Sequence, residues 1–103
     1  MTLTAEESSC TEYVCLCAFL SSNKKVSKSA GRIMDLLRIG DLPTEILSNY
    51  KEDFDVMIED LSHVDDFQLD PKLDSETNEK IIWNYNQLKT AYETLKKIRK
   101  EIK

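Results

Sequence analysis

The residues best suited to chemistry crowd into one run, "EYVCLCAFL" at positions 12–20, which holds Cys15 and Cys17, with Cys10 just ahead of it. Thiolates bind zinc and act as nucleophiles, so this cluster is the first candidate for a site. A structural zinc site wants four ligands, usually as two close pairs. Here the spacing is Cys-x4-Cys-x-Cys with one distant histidine, His63. On a helix Cys15 points about 160° away from Cys17, so the three sulfurs do not converge on one ion. No lysine or arginine lies between Cys10 and Cys17 to lower a thiol pKa, and Glu12 acts in the opposite sense. The expectation is no metal and no redox role, with the cysteines acting as small buried hydrophobes.

The other chemical candidates are equally poor. His63 is a lone histidine among acids, with no serine or cysteine nucleophile placed against it. Its position suits the favourable end of a helix dipole. Asp65–Glu76 has the length of a calcium loop, but it puts Phe67 and Leu69 at the third and fifth positions and Asp70 where the loop needs glycine. Starting one residue later places Thr77 at the twelfth position, so neither register works. With only Gly31 and Gly40 in the chain, no glycine-rich phosphate loop can be written. No catalytic residue and no cofactor is expected.

Elements must position whatever remains. A chain of 103 residues supports one compact domain. Two glycines and two prolines are too few for a fold of many short strands. The reading is all-α: a single-domain four-helix bundle, residues 1–103, with a long C-terminal helix. Its helices fall at about 4–20, 27–39, 42–63 and 75–102, with an acidic loop over 64–74.

Thr4 and Glu7 have capping-box spacing at the first start, and "SSNKK" reads as the loop after it. Cys10, Tyr13, Val14, Cys17 and Leu20 step by three and four, which predicts the buried face of that helix. Ala30, Ile33, Met34 and Leu37, with Leu36 beside them, do the same for the second, which Gly40 closes. Asp41 can cap the third helix, with Pro43 in its first turn. Leu47, Tyr50, Phe54, Met57, Ile58 and Leu61 give that helix its stripe. In the fourth, Ile81, Tyr85, Leu88, Tyr92, Leu95 and Ile102 follow a seven-residue repeat, broken where Arg99 takes a seam position. At about 42 Å this helix outruns the third, so its C-terminal turns are expected to overhang.

Charge is polarised. Residues 41–77 carry twelve acids against Lys51 and Lys72, whereas residues 78–103 carry seven bases against Glu79, Glu93 and Glu101. The acidic middle would repel a phosphate backbone. The apolar run is far short of the ~20 residues needed to span a bilayer, so no membrane role is expected. An odd cysteine count confined to one segment, with no leader pattern, points to a reducing intracellular compartment.

Two features exceed what a closed bundle needs. Cys15, Leu16 and Phe19 lie opposite the expected buried face, which leaves the first helix apolar on nearly every side. Trp83 stands away from the fourth-helix seam, among polar residues. These four are the candidate partner-binding residues, with charge contacts from Lys96, Lys97, Arg99 and Lys100. Two plainer arrangements compete: Phe67, Leu69 and Leu73 could cover Trp83, or the first helix could lie at the centre of the other three. The leading expectation is a protein-interaction module (adaptor, regulator or inhibitor, or complex subunit) that packs helix on helix with another protein or a second copy. The rival is a nucleic-acid-associated protein using the basic C-terminal end.

Overall fold

The computed structural model describes residues 2–40, 42–62, 72 and 74–102. The described residues form a helical bundle: α1 (Ala5–Phe19), α2 (Lys24–Leu37), a short α3 (Thr44–Leu47), α4 (Lys51–Asp60) and α5 (Ser75–Lys100). One turn of 3-10 helix, Ser48–Tyr50, joins α3 to α4, so these two make one interrupted helix. Four helical segments therefore pack as expected, with α5 the longest.

Local signals account for most ends. Thr4 Oγ1 accepts from the Glu7 amide at 3.1 Å, and the Glu7 carboxylate accepts from the Thr4 amide at 2.9 Å, completing the capping box. That bond and Lys97 beside it hold the Glu7 carboxyl below its ordinary pKa. Asp74 caps α5 by accepting from the Thr77 amide at 2.7 Å. Gly40 has φ of 86° and donates its amide to the Leu37 carbonyl, the left-handed stop that glycine adopts at low cost.

Two boundaries differ from the sequence reading. Helix α2 starts at Lys24 rather than Ser27, because Asn23 Oδ1 accepts from the amides of Lys25 and Val26. The helix expected over 42–63 is broken at Ser48–Tyr50. There Ser48 Oγ donates to the Glu45 carbonyl, and Arg32 from α2 donates to the Asn49 carbonyl at 3.3 Å. Both contacts draw carbonyls out of the helical ladder. Pro43 lies just before α3, at its N-cap, rather than within its first turn. Asp41, His63, the 64–71 stretch and Leu73 lie outside the described residues, and with them the calcium-loop test and the proposed cover over Trp83.

The topology follows from which residues meet. Ser29 and Arg32 on α2 bond Asp53 on α4, and Arg32 also reaches Asn49. Arg99 on α5 bonds Asp55 at 2.8 Å, and Lys97 bonds Glu7 on α1 at 3.2 Å. Contacts run α1 to α2, α2 to α4, α4 to α5 and α5 back to α1, each pair antiparallel. The result is an up-down-up-down square. Cys15, Ala30, Ile33, Leu36, Leu47, Phe54, Met57, Leu95 and Ile98 are fully buried inside it.

The α5 seam is shifted from the expected one. Ala91, Thr94, Leu95, Ile98 and Ile102 are buried, whereas Leu88 is exposed and Ile81, Tyr85 and Tyr92 are only half-buried. Residues 75–90 contribute half-buried and exposed side chains only, so the deepest packing of α5 lies in its C-terminal turns, which do not overhang. Arg99 leaves the seam to meet Asp55.

Candidate functional site

Helix α1 occupies a corner of the square, with α2 on one flank and α5 on the other. It is not central. A corner helix can bury roughly half its circumference, yet α1 is apolar nearly all round. Cys10, Thr11, Val14 and Cys15 are buried, so the inner face is turned by about one residue from the expected one. Thr11 can enter the core because its Oγ1 donates to the Glu7 carbonyl at 2.7 Å.

This rotation divides the candidate residues. Cys15 is completely buried and belongs to the core, so it is withdrawn as a partner contact. Burial pushes its thiol up to about 12, with Glu12 adding to the effect. Cys17, expected inside, is exposed. Leu16 at 48%, Phe19 at 47% and Trp83 at 52% remain exposed, as the sequence reading required. Tyr13 at 41% and Leu20 at 77%, both expected to be buried, lie outside as well.

The exposed side chains form a band rather than scattered points. Phe19 leans on α2, where a Cβ at Gly31 would come within 3.2 Å of its ring. Ser27 Oγ donates to the Phe19 carbonyl at 2.6 Å and fixes the end of α1 against α2. Leu16 lines an open groove of about 320 Å³ with Ser9, Glu12, Tyr13, Met34 and Arg38. On the opposite flank Tyr13 meets Trp83 edge to face, with ring centroids 5.5 Å apart. The band thus crosses α1 from Gly31 on α2 to Trp83 on α5. Trp83 is held by a residue of α1 that the sequence reading had placed in the core.

The basic end of α5 behaves differently. Lys97 and Arg99 are paired with Glu7 and Asp55, and Lys96 lies 4.3 Å from the centre of the Tyr92 ring. Lys100 is exposed. Two of the four expected charge contacts therefore tie helices of this chain together.

Asp53 is the one buried carboxylate among the described residues. Its Oδ1 accepts from Ser29 Oγ at 3.0 Å and its Oδ2 from Arg32 Nε at 2.8 Å, while Arg32 also stacks over Tyr50. Both oxygens are occupied, so the cluster joins α2 to α4 and offers no unpaired base. Among the described residues no group of histidine, cysteine, aspartate or glutamate is arranged to hold a metal ion. No described helix is long and apolar enough to cross a membrane.

The fold and surface define the molecule as an antiparallel helical bundle with an apolar band across one corner. Compared with protein-family models, curated proteins and solved structures, the chain matches none of them.

Proposed function

We propose that this chain is a small protein-interaction module, acting as an adaptor, regulator or complex subunit through helix-on-helix packing. The observation that carries the reading is the apolar band of Phe19, Leu16, Leu20, Tyr13 and Trp83. Large contiguous apolar patches are unusual on a solitary soluble domain, and aromatic residues at the centre of such patches are common anchors. The three free cysteines suit a reducing intracellular setting. The nucleic-acid alternative is weakened by the engagement of Lys97 and Arg99 with Glu7 and Asp55, which leaves less free charge for phosphate.

The test is Leu16→Asp, read by light scattering and urea denaturation. Leu16 faces an open groove, so the variant should keep its helical content and unfold within about 0.5 kcal/mol of wild type. Any association of the wild type should be lost. A destabilisation of several kcal/mol would instead place Leu16 in a core and sink the proposal.

A further inference from the structure

We propose that residues 42–50, the connection from α2 to α4, form a strap that opens as a unit, hinged at Tyr50 and latched by Arg32. The proposal stands apart from the reading of the apolar band, since none of these residues belongs to it. Both ends of the strap are marked in the backbone. Pro43, with ψ of 132°, is extended and precedes the first turn of α3. At the other end Leu47, Ser48 and Lys51 have helical dihedrals, whereas Tyr50, at φ −113° and ψ 8°, does not. A 3-10 turn inside a helix is a common place for a hinge.

Between these points the strap is lightly held. Thr44, Glu45, Ser48 and Asn49 are exposed, and the backbone of α3 comes close mainly to the turn that follows it. Of the nine residues only Leu42 and Leu47 are buried. Sparse buried contacts and low contact density mark a segment that opens below the free energy of global unfolding. The two leucines plug into the main core, so the closed form prevails.

Arg32 supplies the latch. Its Nε donates to Asp53 Oδ2 at 2.8 Å, and Ser29 Oγ donates to the other carboxylate oxygen, so the guanidinium is set by α2 and α4. From there Nη2 donates to the Asn49 carbonyl at 3.3 Å, and the guanidinium lies 4.9 Å from the centre of the Tyr50 ring. One side chain thus ties the last two residues of the strap to the helices that flank it. The planar fork of arginine reaches all three groups at once, which the single nitrogen of a lysine cannot do.

The experiment is amide hydrogen exchange on the full chain, followed by NMR at several low urea concentrations. The probes in the strap are the amides of Ile46 and Leu47, which donate to the Pro43 carbonyl at 3.0 and 3.3 Å. The reference is Leu95 and Ile98, both fully buried in α5. In wild type the strap amides should exchange at least tenfold faster than the reference, with little dependence on urea, as a local opening does. Arg32→Lys keeps a charge beside Asp53 and removes the fork. It should speed the strap amides at least tenfold while moving the reference less than threefold. Strap amides that follow the reference at every urea concentration would overturn the strap. Equal acceleration of both sets in Arg32→Lys, or of neither, would overturn the latch. Tyr50→Leu gives a second reading should that variant fail to fold, because it removes the ring beside the guanidinium and leaves the Arg32–Asp53 pair. Acceleration confined to Ile46 and Leu47 is expected there, and unchanged exchange would count against the latch.

Discussion

Cys15 and Cys17 are two residues apart and chemically opposite. Cys15 is sealed in the core with its thiol pushed up to about 12, so at neutral pH almost none of it is thiolate. Cys17 faces solvent, and Cys10 is buried with its thiol also raised, by burial first and Glu6 second. Iodoacetamide should therefore modify Cys17 first in the folded protein, with Cys10 and Cys15 reacting only once urea unfolds it. Peptide mass spectrometry gives the order, and early labelling of Cys15 would contradict its burial. The sequence reading set Cys15 and Cys17 on opposite sides of one helix, and the structure places the first in the core and the second in solvent. It placed Cys10 and Cys17 in the core; Cys10 is buried but Cys17 is exposed and Cys15 takes the inner position, because Tyr13 and Leu20, both large, biased the apparent apolar face outward. Thr11 and Ala18, which help define the inner face, add little to a hydrophobic pattern.

At the scale of elements, caps were the most legible feature. Thr4 with Glu7 and Gly40 act where their types suggested, and Asp74 caps α5 at the expected start near 75, since each satisfies backbone groups within a few residues of itself. The break at Ser48–Tyr50 was not legible, because it depends on Arg32 arriving from α2. Gly31 was equally silent in sequence, yet it sets how closely Phe19 approaches α2. Gly31→Ala should raise stability by about 0.5–1 kcal/mol through helix propensity, because the half-exposed Phe19 ring can yield. It should also tilt that ring outward and weaken any docking on the band. Thermal melts and sedimentation read the two effects separately. A loss of stability would show that the ring is held in place too firmly to move.

For the whole molecule, four helices and the length of the last could be read from period and caps. The corner position of α1 could not, because amphipathic stripes do not say which helices become neighbours. That position turned an apparent surplus of apolar residues into a continuous band. It also made Trp83 and Tyr13, on different helices, parts of one surface. The shifted α5 seam has the same origin. Ala91 and Thr94 are small enough for α1 to approach, and Thr94 satisfies its hydroxyl on the Thr90 carbonyl.

The unequal anchoring of α5 has a consequence for motion. Its last ten residues contribute buried side chains, whereas residues 75–90 contribute none, so one continuous helix spans two levels of local stability. Amide hydrogens over 91–100 should exchange with deuterium only on global unfolding, while those over 79–86 exchange by fraying, orders of magnitude sooner. Mass spectrometry of the deuterated peptides would show this as a step within α5, and uniform protection would rule it out. Docking at Trp83 would slow exchange in the outer half alone. The outer half of α5 would then act as a built-in reporter of occupancy, its amides shielded from solvent when the band is covered.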